Sequence, residues 1–192
     1  MGKRLDKNYN SLDRLEKWDE GTQAEIKKRL QDEVGLDLQY KFLNEQEGHM
    51  LELLVDVLVP QEKNEQYIKI SEAIDRQLAS GEKGVRYGTD PWPQEFYQQG
   101  LAEVGKESEK FFGKTIEKLN GEELTAMLES LMARDPDDFL HRFMGRILAD
   151  AVKIYYSHPK AWSEIGFPGP AFPSGYAHLE CDKAHDWEPK YL

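Results

Sequence analysis

One cysteine stands in 192 residues. An internal disulfide is therefore excluded, and Cys181 is left as a buried thiol, a ligand or a residue that pairs with another chain. Basic residues are outnumbered, 25 Lys and Arg against 36 Asp and Glu, for a net charge of −11. That balance argues against nucleic acid and against an anionic membrane surface, since both need clustered Lys and Arg. No apolar run approaches the ~18 residues of a membrane helix, so no membrane insertion is expected. The amino-terminal stretch MGKRLDKNYNSLDRLEKWDEG has basic residues but no apolar run behind them. It encodes no secretory signal, and the expected location is the cytoplasm, with the periplasm reached only by export together with a partner.

The motifs of autonomous catalysis are missing too. The glycines of GFPGPAFPSG and GLAEVG do not match the GxGxxG of dinucleotide sites. There is no GxxxxGK[ST], no CxxCH, no GxSxG and no HExxH. The acidic pairs Asp137–Asp138 and Glu122–Glu123 fall in first helical turns, where the helix dipole accounts for them. None of the five histidines has a glutamate three residues before it, which removes the di-iron pattern of helical bundles. One metal candidate is left: His178, Cys181 and His185, with Asp182 and Asp186 nearby. Their i, i+3, i+7 spacing puts three zinc-type ligands on one helical face. The paired CxxC or HxxxH knuckles of structural zinc sites do not accompany them, and the competing reading is a polar tail with one thiol facing a partner. No catalytic or cofactor-binding residue is assigned to this chain.

What is present reads as helix. Ala24–Val34 forms a short amphipathic segment closed by Gly35. Asn44 followed by Glu47 has capping-box spacing, and Met50–Val59 is apolar on nearly every side, so this helix is predicted to be buried, with Pro60 as its stop. Ile68, Ala73, Ile74 and Leu78 share a face of a third helix ending at Gly81. A long helical pattern runs from Pro93 to Leu119, with Gly105 as a candidate kink. Asn120 and Glu123 repeat the capping signature. Asp135 as N-cap and Pro136 at N1 open the last helix. The expectation is an all-α protein, a single bundle of about six helices, organised as a polar lead-in (1–22), the bundle (23–158) and a carboxy-terminal arm (159–192).

From Tyr155 to the end the composition changes. This part holds five of the nine prolines, three of the five histidines, two of the four tryptophans and the cysteine. Pro168, Pro170 and Pro173 fix φ and remove donors, so the arm can join neither helix nor central strand. Its aromatics either fold back over the bundle's own core or form a stiff arm laid across a partner. The expected partner surface is Trp162, Phe167, Phe172, Tyr176 and Trp187, with Pro168 and Pro170 holding the path and Cys181 as a thiol contact.

Tyr155–Pro159, Trp162, Ile165–Gly166, Gly169–Pro170, Gly175–Tyr176 and Trp187–Glu188 together resemble the carboxy-terminal signature of the gluconate 2-dehydrogenase subunit 3 family. The upstream LLVDVLVP, ending at Pro60, looks like that family's first buried helix, so the resemblance spans about residues 44 to 190. It departs at Ser174, where such sequences often carry a basic residue, and in having no twin-arginine signal. The resemblance implies a small, non-catalytic helical subunit without a cofactor of its own. Its partner would be a large FAD-containing dehydrogenase of the glucose–methanol–choline class acting on a sugar or sugar acid, with a cytochrome electron acceptor reached through that large subunit. The small subunit would serve its partner's maturation, stability or export, a chaperone-like role. Two alternatives stand beside it: a metal-dependent enzyme using His178, Cys181 and His185, and a helical scaffold unrelated to redox chemistry.

Overall fold

Helix starts are decided by which side chain can satisfy the free N–H groups of a first turn. Asn44 and Asn120 each accept the N–H of the residue three positions on (2.9 Å), while Glu47 and Glu123 return to the Asn backbone N–H (3.0 Å). Both predicted capping boxes are therefore closed. The computed structural model describes residues 8–31, 40–64, 67–81 and 91–170. Within them lie six α-helices, α1 (Glu20–Gln31), α2 (Glu45–Leu58), α3 (Ile70–Ala79), α4 (Pro93–Phe112), α5 (Gly121–Met132) and α6 (Phe139–Ser157). Three 3-10 turns, Ser11–Lys17, Ile116–Lys118 and Pro159–Ala161, complete the order. Among the described residues there is no strand. The protein is all-α, as the apolar spacing predicts.

Several boundaries differ from the expectation, each for a local reason. The long pattern from Pro93 ends as a helix at Phe112, where Gly113 takes a left-handed φ of 64°. The following turn is closed by the Ser108 hydroxyl, which donates to the Lys114 carbonyl (2.8 Å), and Ile116 is buried as the chain reverses toward α5. Helix α4 runs unbroken through Gly105. Helix α6 is capped by Asp138 rather than Asp135: the Asp138 carboxylate accepts the N–H groups of Leu140 (2.8 Å) and His141 (3.3 Å). Asp135 instead makes a tight turn one step earlier, its side chain accepting the Asp137 N–H (2.8 Å), and Pro136 lies in that turn.

The chain divides into two compact units, residues 37–154 and residues 1–36 with 155–192, the division falling within α6. The first contains α2 to α5 and most of α6. Its core is aliphatic around Leu51, Leu54, Ile74, Leu101, Met127, Leu131 and Ile147, all 2 % exposed or less. At one end sits an aromatic cluster in which Phe96 meets Phe139 and Phe143 edge to face (5.2 and 5.7 Å) and Tyr97 meets Phe143 (5.6 Å). Asp75 and Tyr97 are among the polar side chains buried here, each with hydrogen-bond partners. Asp75, 1 % exposed, accepts the backbone N–H groups of Lys41, Phe42 and Leu43 at 2.6–3.0 Å, which fixes the loop entering α2 against α3. The Tyr97 hydroxyl donates to Asp150 (2.9 Å), which also receives Arg146 Nε (2.6 Å). Burial first, then the Asp150 charge, holds the Tyr97 hydroxyl well above the usual phenol range.

In the second unit the polar lead-in is structured from Asn10 onward. Leu12, Leu15 and Trp18 recur every three residues on the 3-10 turn, and together with Ile26 and Leu30 of α1 they pack against Trp162. Period three is the repeat of a 3-10 helix, so these apolar residues fall on one side. Trp18 is 7 % exposed.

Candidate partner-binding surface

The carboxy-terminal motif is built by a sequence of local hydrogen bonds. Pro159 cannot extend α6, and His158 caps the turn that replaces it: its Nδ1 accepts the Lys160 N–H (3.2 Å). Nε2 then faces the Arg29 carbonyl at 3.3 Å and can meet it only as a donor, so the two contacts together select the Nε2–H tautomer. The Phe167 N–H donates to the Trp162 carbonyl (2.9 Å), closing a loop whose reversal is carried by Gly166 at φ 67°. The Tyr155 hydroxyl donates to Glu164 (2.7 Å) across that loop, and burial, together with the neighbouring carboxylate, raises its ionisation above the usual phenol range.

Onto this loop lies the chain's own amino-terminal segment. The Ser11 N–H donates to the Ser163 hydroxyl (3.0 Å) and the Ser11 hydroxyl to the Phe167 carbonyl (2.6 Å). Trp18 meets Trp162 edge to face at 6.5 Å, and Trp162 meets Phe167 at 5.3 Å. Gly169, at φ 94°, has its missing Cβ where the Trp18 indole passes, so any side chain there would occupy the same space as the ring.

These contacts sort the residues expected on the partner surface. Trp162 is 4 % exposed and belongs to the unit's own small core, because its ring is needed to bury Trp18 and Ile26. Phe167 is 38 % exposed, and Ile165 and Tyr156 of the same unit are 46 % and 45 % exposed. Pro168 and Pro170 are half-buried along the path. Phe172, Tyr176, Cys181 and Trp187, with the candidate ligands His178 and His185, lie outside the described residues. Among the described residues no three His, Cys, Asp or Glu side chains come together as a metal site. No helix among them is long and apolar enough to cross a membrane.

Trp18 and Ser11 were not among the expected site residues. The signal for Trp18 is in the sequence: one tryptophan and two leucines at period three inside an otherwise charged stretch. Charge density masked it.

A concavity of about 310 Å³ lies in the 37–154 unit between the start of α2, the second half of α4 and the Ile116 turn. Its floor is Met50, Leu101 and Ile116, and its rim carries Glu47, Glu109 and Glu117. Hydrogen bonds from the local backbone, Thr115 and Gln46 keep the Glu117 carboxyl below the usual carboxylate range.

A family model, gluconate 2-dehydrogenase subunit 3, matches residues 45–169, from the first residue of α2 to Gly169 in the loop just described. No curated protein and no solved structure matches the chain.

Proposed function

The chain belongs to the gluconate 2-dehydrogenase subunit 3 family, and from that premise we propose that it is a non-catalytic small subunit that binds a large FAD-dependent dehydrogenase of the glucose–methanol–choline class and supports its maturation and stability. Subunit membership implies a complex with a dehydrogenase. The class of that partner, its flavin, its sugar or sugar-acid substrate and a cytochrome acceptor beyond it are parts of this reading. The observation that carries it is the family match over 45–169, which takes in both the α2–α6 helices and the motif loop. Tyr156, Ile165 and Phe167 are large apolar side chains left exposed within the motif, which supports a contact there, since exposed apolar surface is a usual mark of an interface.

Co-expression with a candidate large dehydrogenase subunit tests the reading. The expected result is a stoichiometric complex in which FAD travels with the large chain and gluconate-like substrates reduce an artificial acceptor. Large subunit made without this chain should be less soluble or flavin-poor. The isolated small chain should be colourless and without turnover. Stoichiometric flavin on the small chain, turnover by it alone, or about one zinc or iron per chain would overturn the proposal and favour an independent enzyme.

A further inference from the structure

The motif loop lies inside the family match, but the segment packed on it lies outside: the match begins at residue 45, and the covering residues are 10–30. The residues that cover the loop therefore lie outside the matched region. Ile26 is the one buried residue in the twelve of α1, and an isolated helix of that length is marginal in water. The covering segment meets the motif through Trp18 and Ile26, the two Ser11 hydrogen bonds, the Ser163 hydroxyl on Asn10 (3.3 Å) and His158 on the Arg29 carbonyl (3.3 Å), with Leu12, Leu15 and Leu30 partly buried beside them. The exposed Phe167 and Ile165 adjoin the covered Trp162, so the apolar surface continues from beneath the segment to its open edge.

We propose that residues 10–31 form an intramolecular strap that occupies the dehydrogenase partner's seat on the motif loop and is displaced when the partner binds. This rests on the partner reading above. The seat has a definite chemistry. It takes an aromatic ring edge-on to Trp162 in the slot left by Gly169. The Phe167 carbonyl takes a hydroxyl or N–H donor, and the Ser163 hydroxyl takes a backbone N–H. In the free chain Trp18 and Ser11 supply these groups, and in the complex an aromatic-bearing segment of the partner supplies them. A seat closed by its own chain lowers apparent affinity by the fraction of time it is closed. The consequence is that isolated small subunit keeps its apolar surface covered until a partner competes for it.

Hydrogen exchange on the full-length chain, free and in complex with the large subunit, tests this together with the Trp18→Ala and Trp162→Ala variants. In the complex, amides of residues 11–31 should lose protection while those of 159–169 gain it. Trp18→Ala should tighten the apparent Kd by about tenfold, because it opens the seat without altering it. Trp162→Ala should weaken binding, because it removes the seat. A complex in which residues 11–31 stay protected, or in which Trp18→Ala weakens binding, overturns the strap and leaves the partner reading intact. If neither wild type nor Trp18→Ala forms a complex, the partner reading fails and the strap with it.

Discussion

Two glycines of the same helix separate steric need from mere tolerance. Gly100 is packed face-on against the Phe143 ring, and a methyl group there would sit within the ring's own volume. Gly105, five residues on, would place a Cβ 3.5 Å from the end of Met50, an ordinary contact with a flexible side chain. Gly100→Ala should therefore destabilise the protein by about 1–3 kcal/mol through forced displacement of the aromatic cluster. Gly105→Ala should stabilise it by roughly 0.5–1 kcal/mol, since glycine in a helix interior costs about that much relative to alanine. Urea unfolding of the two variants side by side would show midpoints moving in opposite directions. Equal shifts would mean that α4 and α6 do not approach at Gly100 as closely as described.

At the scale of the element, α5 depends on a charge. Glu123 closes the capping box on Asn120 and also receives Lys114 Nζ at 2.7 Å. The Lys114 hydrogen bond first, and the Asn120 N–H second, hold its carboxyl below the usual carboxylate range. A lowered value in the fold means that the contribution is complete above the unfolded chain's value and disappears as pH falls through the folded one. With an unfolded glutamate near pH 4.3, the loss should run from about pH 5 downward. Glu123→Gln keeps an oxygen for the Asn120 N–H but removes the charge. Its stability at neutral pH should be slightly lower than wild type, and its decline between about pH 5 and 3 should be shallower. Thermal unfolding followed across that range would show the two curves converging in acid. Parallel curves would remove Glu123 from the acid response.

For the molecule as a whole, the division into two units means that one ring can be removed from one core and not the other. Trp162 is one of the three buried residues of the Trp18–Ile26 cluster. Trp162→Ala should cost that unit about 3–5 kcal/mol, the usual range for deleting a buried aromatic ring. The 37–154 core has its own buried set, from Leu51 to Ile147. Circular dichroism should therefore retain most of the helical signal, while proteases gain access within residues 11–31 and Trp18 emission moves to longer wavelength. Loss of the whole helical signal would show that the second unit is required for the first to fold.

Much of this architecture was legible residue by residue because it depends on neighbours along the chain. Both Asn–Glu capping boxes, the stop at Pro60, the apolar face of α3 and the all-α character follow from spacings of three and four residues. The motif from Tyr155 to Pro170 was equally visible, since prolines and glycines restrict the backbone wherever they stand. Tertiary structure decided what the motif faces. Ser11 and Phe167 are 156 positions apart, and no local pattern says that a serine will find a particular carbonyl. The same holds for Asp75, read along the chain as one polar residue of an amphipathic helix, yet buried because three backbone N–H groups from Lys41 to Leu43 converge on it. Trp162 could have served a partner or its own chain, and composition gave both equal standing. Tertiary structure gives it a place against Trp18 in its own chain, because the Trp18 indole that fills the slot left by the missing side chain of Gly169 finds that slot only where those distant segments meet.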